Sequence, residues 1–543
     1  MKRLSFLLIL LFVLTGCGKQ KADMIIYNGK VYTVNDKFEI AEAMAIKDGK
    51  IVGVGTTDDI RKEFAANEEV DVAGKAVYPG FIDAHAHFMG YGQSLQSADL
   101  RETNSWDEVL TRLSEFAKTN PDGWLIGRGW DQNDWINKEF PTKEKLDVMF
   151  PNRPVLLERI DGHAAVVNQK ALDEAGVSKS FSLTGGDIVE KDGKLTGLLI
   201  DNAVGLVQNK IPAPNAKQME KIFLDAQKNC FSVGLTTIDD CGLDFEAVDF
   251  IEKMQAKKTL KMRLYVMLSD TEKNFDYLFK RGAIKTDRLN VRAFKVYADG
   301  ALGSRGACLL HPYTDMPNKR GFLLSETKHF EEVAKKINEH NFQMCTHAIG
   351  DSANRTILKI YNEVLGGKND KRWRIEHAQV VAQADFNLFG SASIIPSVQP
   401  THATSDMYWA GDRLGSERVK GAYAYKQLMD QNGWIPLGTD FPVEQINPMF
   451  TFFAATARKD AKDFPPNGYQ MENALTAEQA LRGMTIWAAK ANFEEKEKGS
   501  LEIGKFADFI VLENDIMKAN ATQILQNKVL KTYVNGEKVY DQK

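Results

Sequence analysis

Phe81-Ile82-Asp83-Ala84-His85-Ala86-His87 is the stretch on which the fold and chemistry of this chain turn. It closes an apolar run that begins at Val77. In an extended strand successive side chains alternate faces, so His85 and His87 point the same way, about 6.6–7 Å apart along the chain. Two imidazoles so placed can hold one divalent ion, and imidazole nitrogen suits zinc-like metals. Alone the pair is weak evidence, because two surface histidines near a turn give the same pattern.

Working outward, further apolar runs follow at 235–239, 262–268, 291–297, 342–347, 373–377, 393–398 and 435–440, eight in all with 77–87. Helical periodicity separates most of them, as in Phe330-Glu-Glu-Val-Ala-Lys-Lys-Ile-Asn and in 353–364. Strand–helix alternation repeated eight times predicts an α/β fold, a (β/α)8 TIM-type barrel of parallel strands. In such a barrel all strand C-termini meet at one face, where active sites sit. His347 closes the fifth run, His377 the sixth and Asp440 the eighth, while Lys295 lies within the fourth. Five separate strands thus deliver six metal-competent or basic side chains to one rim, from a chain with only nine histidines.

The chain ends read differently. Residues 24–56 and 509–540 are short alternating strands with hairpin signals at Asn28-Gly29, Asp48-Gly49 and Asn535-Gly536. They predict a small β-sandwich built from both termini, 22–79 plus 496–543, around a barrel at 80–100 plus 221–495. The interval 101–220 is too long for a loop and predicts an inserted α+β subdomain. It carries Trp124-Leu-Ile-Gly-Arg-Gly-Trp and Pro154-Val-Leu-Leu-Glu-Arg-Ile-Asp-Gly-His.

At the N-terminus, Lys2 and Arg3 precede an apolar run, 4–14, too short to span a bilayer, and Leu14-Thr15-Gly16-Cys17 follows. This ending resembles a bacterial lipobox. Residues 1–17 are expected to be a signal segment whose Cys17 is lipidated, giving an exported, membrane-anchored lipoprotein on the periplasmic or cell-surface side. Cys230, Cys241, Cys308 and Cys345 form no Cys-x-x-Cys pair and read as small buried thiols. The 69 Lys and Arg against 73 Asp and Glu give a net charge of −4 without large blocks. That balance argues against nucleic acid as a partner and for a small-molecule substrate; a homo-oligomer stays open.

On the motifs quoted above, together with Tyr297-Ala-Asp-Gly-Ala-Leu-Gly-Ser-Arg305 and Asp161-Gly-His163-Ala-Ala-Val-Val-Asn168, the chain resembles the amidohydrolase superfamily. Within it, the similarity is to the branch of YtcJ-like proteins and N-substituted formamide deformylases, and it covers nearly all of the mature chain. The resemblance implies two divalent metal ions, with zinc the expected metal and Mn, Fe or Co able to use the same shell. His85, His87 and Asp440 would hold one ion, His347 and His377 the other. Lys295, carboxylated by CO2 to a carbamate, would bridge them. Read by itself, Lys295 has as alternatives a snorkelling lysine or a substrate-binding ammonium.

The activity so implied is hydrolysis of an amide-like C–N bond by a metal-bridging hydroxide, with Asp440 as the proton carrier. Esters, lactones or cyclic amides are the alternative substrates, and a solute-binding lipoprotein without catalysis the alternative class. His163 is a candidate oxyanion donor or substrate contact, or else a structural histidine. Arg305 could grip a substrate carboxylate or brace its own loop. His402, in Gln399-Pro-Thr-His-Ala-Thr, is a further candidate substrate contact. His311, His329 and His340 read as surface residues, and Trp130, Trp135, Tyr408 and Trp409 either line a pocket or simply pack.

Overall fold

A computed structural model describes residues 18–178, 181 and 183–542. The lipobox and its Cys17 lie outside the described residues. Seven parallel strands curve about the centre: β1 Phe81–Ala86, β2 Leu235–Leu243, β3 Arg263–Ser269, β4 Leu289–Tyr297, β5 Gln343–Ala348, β6 Arg374–His377 and β7 Ile395–Ser397. They are hydrogen-bonded in that order. Every residue of β1, β5, β6 and β7 is buried, the pattern of a parallel sheet covered on both faces. The covering helices turn one stripe inward. Thr327–Glu339 buries Phe330, Val333, Ala334 and Ile337, spaced three and four apart. Phe330, Val333 and Ile337 each contribute about 1.5–3 kcal/mol by their burial.

The eighth run does not form the strand that its sequence predicts. Pro436 has no N–H to give a ladder, and Asp440 turns to φ 63°, outside the extended region. The segment still closes the barrel. Leu437 bridges Val398 in parallel, and Gly438 N–H donates to the Val398 carbonyl at 3.0 Å. On the other side Ala84 N–H donates to the Leu437 carbonyl at 3.2 Å, and Asp440 N–H to the His85 carbonyl at 2.7 Å. The approach requires glycine at 438, where a Cβ would sit 2.5 Å from the His85 nitrogen.

Both chain ends enter a pair of facing sheets. One holds Lys50–Gly55, Ala43–Lys47, Gln20–Tyr27 and Phe64–Asp71; the other holds Glu537–Asp541, Val529–Val534, Phe509–Leu512, Ala76–Pro79, Lys30–Tyr32 and Ile40–Ala41. The termini are stitched together where Val77 lies antiparallel to Val511. Met24, Ile26, Ile46, Val77, Phe509 and Tyr533 are buried together between the sheets. The hairpins at Asp48-Gly49 and Asn535-Gly536 form. The hairpin expected at Asn28-Gly29 does not, because the two strands it joins belong to different sheets. Gln20–Tyr27 pairs instead with Ala43–Lys47 and Phe64–Asp71. Gly29 marks the crossing, packed so closely that a Cβ would meet the Val72 side chain at 2.7 Å.

Between β1 and β2 a six-stranded mixed sheet runs Gly186–Lys191, Lys194–Asp201, Ala164–Val167, Val155–Arg159, Leu125–Trp130 and Ala98–Asp99. Helix Trp106–Thr119 lays Val109, Leu110 and Leu113 against its Leu125, Trp130 and Leu157. One end of this sheet hangs over the barrel mouth, so that Arg159, Asp161 and His163 line the same cavity as the barrel rim. Cys230, Cys241 and Cys345 are buried free thiols, and Cys308 is a half-buried one. Among the described residues no helix is long and apolar enough to cross a membrane.

Candidate metal centre and active site

The rim brings the strand-end residues together. His85 sits on β1 inside the barrel, fully buried, and His87 one step past the strand's end. The His85 ring lies 4.6 Å from the His377 ring, which lies 4.6 Å from the His347 ring. Asp440 Oδ1 is 3.5 Å from His85 Nε2 and 3.2 Å from His87 Nε2. Lys295 Nζ reaches within 3.3 Å of His85 Nε2 from β4, fully buried. One nitrogen or oxygen from each of His85, His377 and Asp440 falls within 4.8 Å of the others, the spread that one ion can gather. This tightest set takes members from both of the ligand groups that the resemblance implies.

The donor chemistry fits a metal. His347 Nε2 and Asp440 Oδ1 are buried without a hydrogen-bond partner. Buried polar atoms are ordinarily paired, so orphans of this kind at the rim call for a ligand. Metal binding needs neutral imidazoles and an ionised carboxylate. Burial, helped by their positive neighbours, pushes His347 and His377 well below the ordinary imidazole value, and His85 to about 4. Burial works against charge on Asp440, but His402, His87 and His85 hold it well below the usual carboxylate range. Burial likewise disfavours the Lys295 ammonium, and its negative surroundings, Glu376 and Asp440 among them, outweigh that and hold it charged. Divalent ions at the same ligands would reverse that field and favour the neutral amine.

A second layer aims these side chains. His85 Nδ1–H donates to Glu376 Oε2 at 2.5 Å, His377 Nδ1–H to Gln399 Oε1 at 2.7 Å, and His87 Nδ1–H to the Cys241 carbonyl at 3.0 Å. Each imidazole is left with Nε2 toward the centre, the arrangement that fixes tautomer and orientation in metal sites. Asp83 ties β1 to the eighth segment, accepting from Thr439 N–H at 2.9 Å and from the Thr439 hydroxyl at 2.6 Å. Asp299 accepts from the amides of Cys308, Ile349 and Gly350 at 2.8–2.9 Å, bracing the loops after β4 and β5. His377 and Asp440 adopt φ of 72° and 63°, a region that costs non-glycine residues energy and recurs at functional sites.

Glu376, Gln399, Asp83, Asp299 and Tyr297 are site residues that sequence reading passed over. Asp83, Tyr297, Asp299 and Gln399 stand in the motifs quoted for their neighbours without a role assigned, and Glu376 sits beside a strand-end histidine, in Ile375-Glu376-His377.

A cavity of about 1470 Å3 opens above the cluster, with Lys295, Tyr297, His347, His377, His402 and Asp440 on its floor. His163 also lines it, its ring 5.0 Å from that of His347. His402 lies within the site, with Nε2 3.3 Å from Asp440 Oδ2 and Nδ1 3.1 Å from Glu444 Oε1. Burial opposes its charge, and the two carboxylates overcome this, raising it to about 10. Arg305 stands apart: its guanidinium is bound to Asp315 at 2.9 Å and is not part of the cavity wall. The arginines in that wall are Arg101, Arg112, Arg128 and Arg159, the last held between Asp131 and Asp161. Of the four aromatics singled out, only Trp409 lines the cavity; Trp130 and Trp135 are in the core of the inserted sheet, and Tyr408 is exposed.

Comparison with known proteins places this geometry. The model of the amidohydrolase family matches residues 68–540. The chain is 32% identical to the Arabidopsis thaliana protein LONG AFTER FAR-RED 3, over 96% of this chain and 92% of that one. It is 31% identical to the putative amidohydrolase YtcJ of Bacillus subtilis (95% and 99%) and 26% identical to N-substituted formamide deformylase of Arthrobacter pascens (96% and 99%). A crystal structure of a metal-dependent hydrolase from Pyrococcus horikoshii superposes with a TM-score of 0.76 at 27% identity, covering 92% of this chain and 99% of that one. The chain therefore belongs to the amidohydrolase family, in its YtcJ-like branch, as a metal-dependent hydrolase of small molecules built on a parallel barrel.

Proposed function

We propose that this protein hydrolyses a C–N bond in an amide, an N-formyl amine or another N-acyl amine. The observation that carries the reading is the convergence of four imidazoles, Lys295 and an ionised, orphaned Asp440 Oδ1 beneath a large open cavity. The deformylase relative, by its name, acts on a bond of this kind.

His85, His87, His347, His377 and Asp440 would hold the metal, zinc by ligand type, with Lys295 as its carbamate a second anionic member of the set beside Asp440. Bound there, a divalent metal acidifies water to near neutrality and polarises a carbonyl oxygen. Asp440 is the group placed to take the proton of the attacking water. It is ionised, and its Oδ1, beside the His85 and His87 rings, has no hydrogen-bond partner. The same carboxyl then returns the proton to the departing nitrogen, so that carboxylic acid and amine leave as the C–N bond breaks. His402, fixed by Glu444 on one side, keeps Asp440 Oδ2 occupied and Oδ1 free. His163, reaching in from the inserted sheet, is placed to donate to the substrate carbonyl oxygen as it gains charge. Lipidation at Cys17 would put this chemistry on an exported enzyme at a membrane surface.

The test is a panel of N-formyl and N-acyl amines with metal supplied, scored by release of free amine, alongside ester and lactone analogues. Metal content of the purified protein and of His85→Ala is measured in parallel. Amine release that disappears with the metal is expected. Turnover of esters or lactones with every amide left intact would overturn the C–N assignment.

A further inference from the structure

Asp201 has no place in the metal cluster, yet it is among the most constrained carboxylates of the chain. It ends strand Lys194–Asp201 of the inserted sheet with φ 51° and ψ −123°, an unfavourable backbone conformation for a residue with a Cβ. Its backbone N–H donates to the His163 carbonyl at 2.8 Å, and its Oδ1 accepts from His163 Nδ1 at 2.6 Å. The carboxylate is sunk into the barrel loop that follows β4. A Cβ at Gly300 would lie 2.4 Å from both of its oxygens, and one at Gly306 2.3 Å from Oδ2. Oδ2 is buried and has no hydrogen-bond partner. Strain, an unpaired buried oxygen and a notch that only glycines permit are all spent on one contact, the one to His163.

The His163 end is braced too. Its backbone N–H donates to Asp161 Oδ1 at 3.0 Å, and Asp161 is in turn bound by Arg159. With Nδ1 committed to Asp201, the ring's remaining polar atom is Nε2, and the ring lines the cavity beside His347.

We propose that Asp201 is a positioning residue: docked from the inserted sheet into the glycine notch of the barrel, it locks the tautomer and orientation of His163 so that Nε2 meets the substrate. The inference rests on the hydrolytic reading above and deepens it, since the inserted sheet then contributes a substrate-facing group as well as a wall. A histidine with a carboxylate on Nδ1 presents Nε2 in one direction only, and an outer partner of this kind alters function about 10–100-fold when removed.

The experiment uses the metal-loaded full chain and an N-acyl amine that the panel identifies. His163→Gln should lower kcat about 100-fold with KM little changed, as the loss of one oxyanion donor does. Asp201→Ala should lower kcat about 10–100-fold, and Asp201→Asn, which keeps an acceptor, should recover part of that loss. The double variant His163→Gln/Asp201→Ala should be no worse than His163→Gln alone, because Asp201 acts only through the ring. Multiplying effects, or an Asp201→Ala enzyme with wild-type kcat, would overturn the proposal.

A second readout needs no turnover. In protein labelled with 15N-histidine, the hydrogen-bonded Nδ1–H of His163 should give a downfield proton resonance that vanishes in both His163→Gln and Asp201→Ala. Its persistence in folded Asp201→Ala would overturn the positioning role even if no panel substrate is cleaved, whereas a silent panel with the resonance behaving as described would count against the hydrolytic reading alone.

Discussion

Two layers of charged side chains share the interior of the barrel, and they are partnered in opposite ways. In the lower layer Arg374 lies 2.6 Å from Glu376 and 2.9 Å from Asp239, Asn492 donates to Asp239 at 2.5 Å, and Arg374 also donates to the Ser397 hydroxyl at 2.9 Å. Each charge there meets its opposite at contact distance. In the upper layer the cations and imidazoles crowd one another, and His347 Nε2 and Asp440 Oδ1 are buried without a hydrogen-bond partner; Arg374 Nε and Glu376 Oε1 below also lack one, but they face each other as an ion pair at 2.6 Å. The lower layer is fully buried, and the upper one faces the cavity. A matched buried cluster braces a fold, while an unmatched one is held in readiness for something the chain does not itself supply. Glu376 belongs to both, ion-paired below to Arg374 and hydrogen-bonded above to His85.

The sharpest way to break this contrast is to alter an upper-layer group and ask whether stability is spared while activity is lost. Asp440→Asn should lower kcat about 1,000-fold, within the range for removal of a proton-transfer group, with the fold retained by circular dichroism. A comparable activity in wild type and variant would remove Asp440 from the chemistry.

The converse experiment is made below. Arg374→Ala leaves Glu376 and Asp239 buried without their cation, and breaking a buried pair costs about 3–5 kcal/mol. The denaturation midpoint should fall accordingly; a change under about 1 kcal/mol would show that the lower layer is not a brace.

Filling the open layer should stabilise the protein. Saturating the apo protein with zinc at about 100 times its dissociation constant should add about 2.7 kcal/mol, read as a rise in melting temperature that chelator reverses. No response in wild type would mean that the orphaned atoms do not answer to metal.

A matched pair far from the site gives the control with pH. Asp508 lies between Arg263 Nε, at 2.5 Å, and Asn535 N–H, at 2.9 Å. Burial raises its pKa, but Arg263 outweighs burial and holds it below the ordinary value. A depressed carboxylate stabilises fully above its unfolded value, about 3.9, and loses that contribution as pH falls through the folded value. Asp508→Asn should therefore be about 1.5–3 kcal/mol less stable than wild type at neutral pH, with the gap closing below about pH 3.9. A gap that widens in acid would reverse the sign.

Arg305→Ala should do least. Its pair with Asp315 is partly exposed and lies off the cavity wall, so stability should change by about 0–1 kcal/mol. KM should stay at the wild-type value, and a large rise would return Arg305 to the site.

Much of the architecture could be read before any coordinates. Alternating runs and helical stripes are local patterns, and seven of the eight runs contain barrel strands. Of the failures, one was a local rule overruled at a distance and the other a local signal, Pro436, that the run's hydrophobicity masked. Asn28-Gly29 has the composition of a hairpin turn, but Gln20–Tyr27 found its partners in Ala43–Lys47 and Phe64–Asp71. The run 435–440 has the hydrophobicity of a strand, but a proline and the turn at Asp440 leave it only enough hydrogen bonds to close the ring.

By itself the sequence determined which side chains could meet: a strand's two-residue period, with histidine, lysine and aspartate at strand ends, places His85, His87, Lys295, His347, His377 and Asp440 at one rim of any parallel barrel. Only the tertiary structure decided how they are aimed. Glu376 behind His85, Gln399 behind His377, Asp201 behind His163 and the burial that neutralises the imidazoles all depend on groups tens to hundreds of residues apart. The reason is physical: periodicity is a property of neighbouring residues, whereas tautomer, charge state and unpaired lone pairs are set by what the whole fold packs around an atom.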